Sequence, residues 1–329
     1  MKRIIVLALI ILTTELFLSG QTTTIQGKPI AEIFTDFHYN ISDTSRNTGF
    51  DLNRAFFGYQ YLPEGNLSAK IIVNVGSPAD LAPGSSARRY TYCREASIAY
   101  TTSRMTLTMG ITGTKLFEFQ QKFWGKRYVA NTYQSINGYG FVADLGVVAD
   151  FKITDRISAD LTLMNGEGFH NLQLDDHLRT SLGLTWYPVS TLVLRIYGDI
   201  QKQEELWQPL FIGFAGFRNE HLYFGGEFSY KSNIDLVEGH HAWGISGTGG
   251  FNISEKNEIF GRYDFISSVI LPGNSLKWNY LKNGSFLVAG LQHSFSPNIK
   301  LAFDYQASIP YSSTGLISDL IYINALFKF

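Results

Sequence analysis

Apolar and polar side chains alternate with a period of two residues along nearly the whole chain after residue 30. In the segment 157–163, for example, every second residue is apolar: Ile157, Ala159, Leu161 and Leu163. This is the period of a β-strand, whose successive side chains point to opposite faces. We count about 16 such segments of about 10 residues, the length of a tilted membrane-spanning strand. Their approximate starts are residues 31, 50, 66, 91, 105, 139, 156, 177, 191, 208, 220, 241, 257, 284, 298 and 318.

The connections between these segments alternate in length. Short ones fall near residues 63–66, 102–104, 153–155, 188–190, 217–219, 254–256 and 296–298. Longer ones fall near residues 42–49, 77–90, 113–137, 165–176, 201–207, 231–240, 267–283 and 308–317. A soluble β-sandwich has no reason to separate its connections by length, whereas an outer-membrane barrel has short periplasmic turns and long extracellular loops. The pattern therefore predicts an all-β protein, a transmembrane antiparallel β-barrel of about 16 strands with both termini in the periplasm.

The N-terminal residues have the order of a secretory signal peptide. Lys2 and Arg3 precede the apolar run 4–12, and Ser19-Gly20 follows it. This charged, apolar, small-residue order predicts cleavage before Gln21 and export of the mature chain. We therefore expect a signal peptide at residues 1–20, a short periplasmic lead at residues 21–29 and the barrel at residues 30–329.

The last strand has one unbroken apolar face, made by Ile321, Ile323, Ala325, Phe327 and Phe329. A closed barrel needs a full-length last strand that pairs with the first and leaves no open edge. We therefore expect this strand to pair with the one that begins near Ala31. The ending resembles that of bacterial outer-membrane barrels, which implies that Phe327 and Phe329 form an assembly signal for the barrel-assembly machinery. A soluble sheet that reaches the chain end is the alternative.

The polar face of the predicted strands carries many charges, which are Arg54, Lys70, Asp144, Asp150, Asp160, Arg179, Arg195, Glu227, Arg262, Asp264, Lys300 and Asp304. Burying them in a soluble core would cost about several kcal/mol each unless they were paired. In a barrel of about 16 strands they can line water. The aromatic content of 15% fits the aromatic girdles of such a barrel. A net charge of −1 gives no support for nucleic-acid binding, and a single cysteine, Cys93, excludes an intramolecular disulfide framework.

Several short motifs resemble the porins of Bacteroidetes outer membranes, which are broadly related to phosphate-selective porins. They lie at residues 50–59 (FDLNRAFFGY), 68–71 with Val75-Gly76, 122–128 (KFWGKRY), 143–147 and 165–168. The likeness is clearest from about residue 30 to 190. It implies an outer-membrane porin, a passive channel for small hydrophilic solutes or ions and not an enzyme, without identifying the solute. A homotrimer is expected by analogy with general porins.

The longest connection, residues 113–137, is the candidate functional element. It is the third long connection, the one that folds inward and narrows the pore in many general porins. Residues 116–124 could form a turn or two of helix. Its charges are Lys115, Glu118, Lys122, Lys126 and Arg127, an excess of three positive charges that would attract anions. The same cations could instead sit at the outer rim and bind lipopolysaccharide phosphates, or be simply solvated.

We predict that the pore is lined by Lys115, Glu118, Lys122, Lys126, Arg127, Arg54, Lys70, Asp144, Arg179, Arg195 and Arg262. Most opposite charges on the wall could equally be stabilising pairs, so the sequence does not give the ion selectivity. A barrel enzyme of the phospholipase type, or a structural or adhesive barrel, is the alternative function. The sequence has no Gly-x-Ser-x-Gly, His-Glu-x-x-His or phosphate-binding Gly-rich motif, and we predict no catalytic residue, metal or cofactor.

Overall fold

A computed structural model describes residues 26–42, 48–63, 65–76, 91–173, 176–269, 283–311 and 317–329. The predicted signal peptide and most of the predicted periplasmic lead lie outside these residues. The first strand begins at Gly27, within the predicted lead, because residues 27–29 already pair with the second strand. Among the described residues, no helix is both long and apolar enough to cross a membrane.

Sixteen antiparallel strands form one closed barrel in which each strand pairs with its sequence neighbours. Every strand begins within four residues of its predicted start. The strands are β1 (Gly27–Asn40), β2 (Gly49–Tyr61), β3 (Leu67–Val75), β4 (Thr91–Thr101), β5 (Met105–Gly113), β6 (Ala143–Lys152), β7 (Ile157–Met164), β8 (Arg179–Val189), β9 (Leu192–Gln203), β10 (Leu206–Arg218), β11 (Leu222–Lys231), β12 (Ala242–Asn252), β13 (Asn257–Ser268), β14 (Gly284–Ser296), β15 (Ile299–Pro310) and β16 (Ser318–Lys328).

The first and last strands close the barrel. Ile33 lies opposite Phe327 and Asp36 lies opposite Asn324. Ala31 and Phe329 exchange two backbone hydrogen bonds, with N···O distances of 3.1 and 3.0 Å. The two strands pair along Glu32–Asn40 and Leu320–Lys328, so the sheet has no open edge here, as a sheet surrounded by lipid requires. The predicted pairing of the last strand with the one near Ala31 is confirmed.

The two faces of the wall differ in polarity as the alternation predicts. Large apolar side chains are exposed on the outside, among them Leu182, Ile196, Phe211, Phe228, Ile245, Phe303, Phe327 and Phe329. The inner face carries buried charged and polar side chains, among them Asp160, Arg195, Arg262, Asp264, Asp304 and Asn324. An apolar outer band and a charged inner surface are the opposite of a soluble barrel, and they fit a wall that faces lipid.

Connection lengths alternate as predicted, with one exception. The link predicted at residues 201–207 is a two-residue turn, Glu204-Glu205, between β9 and β10. The prediction of a long loop there is wrong, because the polar residues 201–203 belong to the end of β9. Gln201 in fact points inward from β9, where a polar side chain belongs, and is buried.

The connection between β5 and β6 contains the two α-helices of the described residues, α1 (Lys115–Trp124) and α2 (Tyr133–Ile136). Helix α1 confirms the predicted helical turn. It ends at Gly125, which has a left-handed φ of 67° and donates its N–H to the carbonyl of Gln121 at 2.9 Å. A glycine is favoured at this position because it adopts that conformation without a steric cost. We call residues 114–142 the lumen loop.

Candidate functional site: the lumen loop and the cavities beside it

The lumen loop lies inside the barrel. Its residues hydrogen-bond to inward-pointing side chains on distant strands: Tyr128 donates to Gln292 at 2.8 Å, and Gln134 donates to Glu227 at 2.6 Å. Gln306 on β15 in turn donates to the carbonyl of Val129 at 3.1 Å. These partners lie on β11, β14 and β15, so the loop crosses the lumen and rests on the far wall.

Apolar packing fastens the loop to that wall. Phe123 packs edge-to-face against Phe214 and Tyr223, with ring centroids 4.9 and 5.9 Å apart. Two inward-facing glycines, Gly216 and Gly225, make room for this ring, since a Cβ at either position would lie 2.6 Å from Phe123. The wall and the loop are therefore shaped for each other.

Lys126 and Arg262 lie behind the loop and not in an open passage. Lys126 is 3% exposed and pairs with Glu258, and its ammonium also donates to the Tyr223 hydroxyl at 2.9 Å. Arg262 is 4% exposed and binds Asp264 and the backbone carbonyl of Asn131. Both cations are held in contacts between the loop and the wall, and their role in lining the pore stays a prediction.

Three other predicted pore residues are occupied by contacts within the wall. Arg195 is buried and forms a double hydrogen bond with Asp160, at 2.6 and 3.1 Å. Arg179 binds Asp199 through two nitrogens, at 3.0 and 2.7 Å. Asp144 is buried and accepts the N–H of Gly166 at 2.6 Å. The pairs of Arg195 with Asp160 and of Arg179 with Asp199 are the kind of stabilising wall pair that the sequence left open, whereas Asp144 is held by a backbone N–H of the β7–β8 connection.

A cavity of about 630 Å³ lies between the lumen loop and the opposite wall, in the half of the barrel nearer the long loops. We call it the outer cavity. Its charged lining residues are Arg54, Arg94, Arg127, Asp36 and Asp51. Its lining also includes aromatic side chains, among them Phe34, Phe56, Tyr92, Tyr128, Phe169, His170 and Phe286. Of the predicted pore residues, Arg54 and Arg127 lie here.

Two of the three arginines have no carboxylate partner among the described residues. Arg54 pairs with Glu32, but Arg94 makes one hydrogen bond, from Nη2 to the Val142 carbonyl at 3.2 Å. The Nε and Nη1 atoms of Arg127 are buried and make no hydrogen bond within the described part of the chain. Burial, followed by the neighbouring Arg54 and Arg94, lowers the pKa of Arg127 to about 9, so it stays charged at neutral pH. Arg94 and Arg127 therefore bring positive charge to the outer cavity that no described carboxylate pairs with.

Arg94 was missed in the sequence because the two-residue period breaks at a bulge. The register between β3 and β4 shifts between Ile72 and Val73, so that Ile72 pairs with Glu95 while Val73 pairs with Cys93. Arg94 is the extra residue, and both Arg94 and Glu95 line inner cavities. A bulge re-aims a side chain in this way. The signal available in the sequence was two adjacent charges, Arg94-Glu95, in an otherwise alternating strand.

A second cavity, of about 320 Å³, lies along β2–β6 in the half of the barrel nearer the short turns. We call it the inner cavity. Lys70 pairs with Glu95 at 3.1 Å, and Lys115 pairs with both Glu118 and Asp150 at 2.7 Å. The predicted residues Lys70, Lys115 and Glu118 therefore all line the inner cavity, beside the loop.

Helix α1 carries a compact charge cluster. Glu118 accepts from Lys115 and from Lys122, whose side chain is 73% exposed and lines neither cavity. Burial raises the pKa of Glu118, but the two ammonium groups outweigh burial and lower it to about 2. Only Arg127, of the four predicted loop cations, is thus left without an acidic partner in the described structure.

Comparison with solved structures identifies the architecture. OmpF of Salmonella typhi, in a complex with daunomycin, matches with a TM-score of 0.68 and 10% identity, over 94% of this chain and 99% of its own. The anion-selective porin from Comamonas acidovorans matches with a TM-score of 0.68 and 9% identity, over 92% and 99%. The chain has the fold of bacterial outer-membrane porins. A trimer form of OmpT, an outer membrane protein of Vibrio cholerae, shares this porin fold, with a TM-score of 0.60 and 11% identity over 92% and 99%.

No family model matches the sequence, and no curated protein matches it. The porin fold is therefore recognised from structure, and the predicted kinship with phosphate-selective porins of Bacteroidetes gains no support from sequence families.

One contact among the described residues bears on the alternative of a barrel enzyme. Ser232 and His241 hydrogen-bond at 2.7 Å beside the β11–β12 connection. The described residues provide no carboxylate or amide that hydrogen-bonds to His241, so the third member of a catalytic triad is absent there. His293, on β14, hydrogen-bonds to Asn257 at 2.8 Å and to no described serine. Neither histidine forms the arrangement that a serine hydrolase needs.

Proposed function

We propose that the protein is a passive diffusion channel of the bacterial outer membrane for small hydrophilic solutes, with a preference for anions. The observation that carries the proposal is the outer cavity, where Arg94 and Arg127 face an aqueous passage without a carboxylate partner in the described chain. Cationic groups in a narrow pore with low-dielectric walls concentrate anions and repel cations. The porin fold supports the transport role, and the two cavities beside the lumen loop support the path.

The lumen loop is the constriction in this proposal. It packs against β10, β11 and β13 and leaves two cavities, one along β2–β6 and the other lined by β1–β4 and β14–β16. The buried pairs behind the loop hold it in place, while Arg127 supplies its one unpaired charge to the passage. Selectivity then depends on Arg127 and the wall arginines and much less on Lys122 and Lys126.

Reconstitution in planar bilayers tests the proposal. Stepwise single-channel conductance is expected, with a reversal potential in a KCl gradient of the sign for chloride preference. Arg127→Gln is expected to reduce the chloride-to-potassium permeability ratio by about two- to fivefold, since one charge at close range contributes about 0.5–1 kcal/mol in water. Arg104→Gln, in the exposed β4–β5 turn, is the matched control and should leave the ratio unchanged. Absence of stepwise conductance would contradict the channel function.

We infer that the protein assembles as a homotrimer. The support is the trimer form of OmpT, which shares this fold. Light scattering of the detergent-solubilised protein is expected to give three times the mass of the mature chain, which lacks residues 1–20 of the 37.0 kDa full chain. A particle of monomer mass would contradict this inference and leave the channel proposal standing.

A further inference from the structure

One wall of the outer cavity is an alternating row of aromatic rings and guanidinium groups. Arg54 lies over the rings of Phe34 and Phe56, with its Cζ 4.5 and 4.4 Å from the ring centroids. Arg94 lies over Phe56 and Phe169, at 6.0 and 5.0 Å. The order in space is Phe34, Arg54, Phe56, Arg94, Phe169. We call this row the cation–aromatic stack.

The stack joins four separate parts of the chain. Phe34 is on β1, Arg54 and Phe56 are on β2, Arg94 is on β4, and Phe169 follows β7. It needs two bulges, because Arg94 turns inward at one and the register between β1 and β2 shifts next to Arg54 at the other. Lysines or unstacked arginines would be enough to place positive charge in a pore. The alternation of guanidinium groups and rings therefore indicates a further role.

Stacking fixes the plane of each guanidinium. An arginine stacked on a ring keeps its N–H groups at the edge of the plane, where they bind a carboxylate with two parallel hydrogen bonds. Arg94 uses one such hydrogen bond on the Val142 carbonyl, and both Arg94 and Arg127 line the outer cavity without a carboxylate partner among the described residues. Donors for a carboxylate are therefore held in fixed orientations.

The rings also offer apolar area that an inorganic anion cannot use. Phe56 and Phe169 are only partly buried, and Tyr92 and His170 lie beside them with ring centroids 4.5 Å apart. A planar aromatic solute gains stacking and hydrophobic contact there, while its carboxylate pairs with the arginines. Asp36, one of the two carboxylates that line the cavity, competes little with a solute carboxylate for these arginines. It is 4% exposed and already bound to His38 and Asn53.

We propose that the outer cavity is a binding site for small aromatic carboxylates, which the channel takes up in preference to aliphatic carboxylates of the same size. This inference rests on the proposed channel function and names a solute class for it. The carboxylate binds the edges of Arg94 and Arg127, and the ring of the solute lies against the exposed parts of Phe56, Phe169 and Tyr92.

Ion-current block of single channels tests the inference. Benzoate and cyclohexanecarboxylate have the same charge and nearly the same size, and only benzoate is aromatic. Benzoate is expected to interrupt the chloride current at a concentration roughly fivefold lower than cyclohexanecarboxylate, the ratio expected for one favourable aromatic contact. Phe56→Leu is expected to bring this ratio closer to one because it removes a ring, whereas Arg94→Lys is expected to raise the blocking concentration of both acids because it removes a planar donor.

Phe228→Leu is the matched control, since this phenylalanine is exposed on the outside of the barrel and should leave the ratio at its original value. Equal block by the two acids in a conducting channel overturns the aromatic-carboxylate inference while the channel function stands. An unchanged ratio in Phe56→Leu, together with unchanged blocking concentrations of both acids in Arg94→Lys, overturns it as well. Absence of any conductance overturns the channel function itself.

Discussion

Lys126 of the lumen loop donates a hydrogen bond to the carboxylate of Glu258 on β13, and both side chains are nearly buried. The two residues are 132 positions apart in the chain. Three aromatic rings surround the ammonium, those of Trp124, Tyr223 and Phe260, at 5.6, 5.0 and 5.2 Å from the ring centroids. The pair therefore holds the loop against the far wall and keeps the passage on the other side.

Removing this anchor should loosen the loop. Lys126→Gln leaves Glu258 buried without its cation, which typically costs about 3–5 kcal/mol. We expect the folded band on unheated gels to disappear at a lower temperature and the open-channel current to become noisier. Lys122→Gln removes an equal charge from the exposed face of α1 and should change the transition by less than about 1 kcal/mol. Equal behaviour of the two variants would contradict the anchoring role of Lys126.

Gly216 and Gly225, which make room for the Phe123 ring, allow a second test of how the loop packs against the wall. Gly225→Ala places a methyl group 2.6 Å from the Phe123 ring, so the ring and the loop must shift. We expect a destabilisation of about 1–3 kcal/mol and a changed single-channel conductance. The adjacent Gly226 points outward with no atom within 4 Å of an added Cβ, so Gly226→Ala should behave like the wild type. A silent Gly225→Ala would mean that the loop does not rest on this wall.

The charge cluster on α1 predicts resistance to acid. The pKa of Glu118 is lowered to about 2, so its ion pairs are complete above the usual value of about 4.5 and are lost only as the pH falls through about 2. We expect the difference in reversal potential between wild type and Glu118→Gln to stay constant from pH 7 to pH 4. A difference that disappears near pH 4.5 would show that Lys115 and Lys122 do not hold the carboxylate ionised.

The closing strand predicts an assembly phenotype. Phe327 and Phe329 are exposed on the outer face, and Phe329 pairs with Ala31 at the barrel seam. We propose that these two rings are read during assembly, and we expect Phe327→Ser with Phe329→Ser to reduce the amount of folded protein in the outer membrane. Leu182→Ser, an equally exposed apolar position on β8, is the control. An equal loss in the control would assign the effect to general hydrophobicity.

The strands were readable from the sequence because a wall between lipid and water imposes a strict alternation on every strand. The same alternation gave the inward direction of Arg54, Arg195 and Arg262. It failed at Arg94, where a bulge shifts the phase by one residue. It also failed at residues 201–207, where polar side chains belong to the inner wall and the turn is only two residues long.

The candidate site was harder to predict from the sequence than the strands, because it depends on where the lumen loop lies. The sequence shows four cations on this loop but not their partners. Lys126 finds Glu258, while Lys115 and Lys122 share Glu118, and these contacts join residues whose proximity only the folded barrel creates. Arg127 is distinguished from them by an absence of described partners, which no local pattern reveals.

The most direct test of the account is to modify the passage chemically at Arg127. In a Cys93→Ser background, which removes the exposed native thiol, Arg127→Cys places a thiol in the outer cavity. A negatively charged methanethiosulfonate reagent is expected to reach this thiol and to reduce both the single-channel conductance and the chloride preference. Complete modification, verified by mass spectrometry, with an unchanged current would contradict the claim that solutes pass between the lumen loop and the arginine-lined wall.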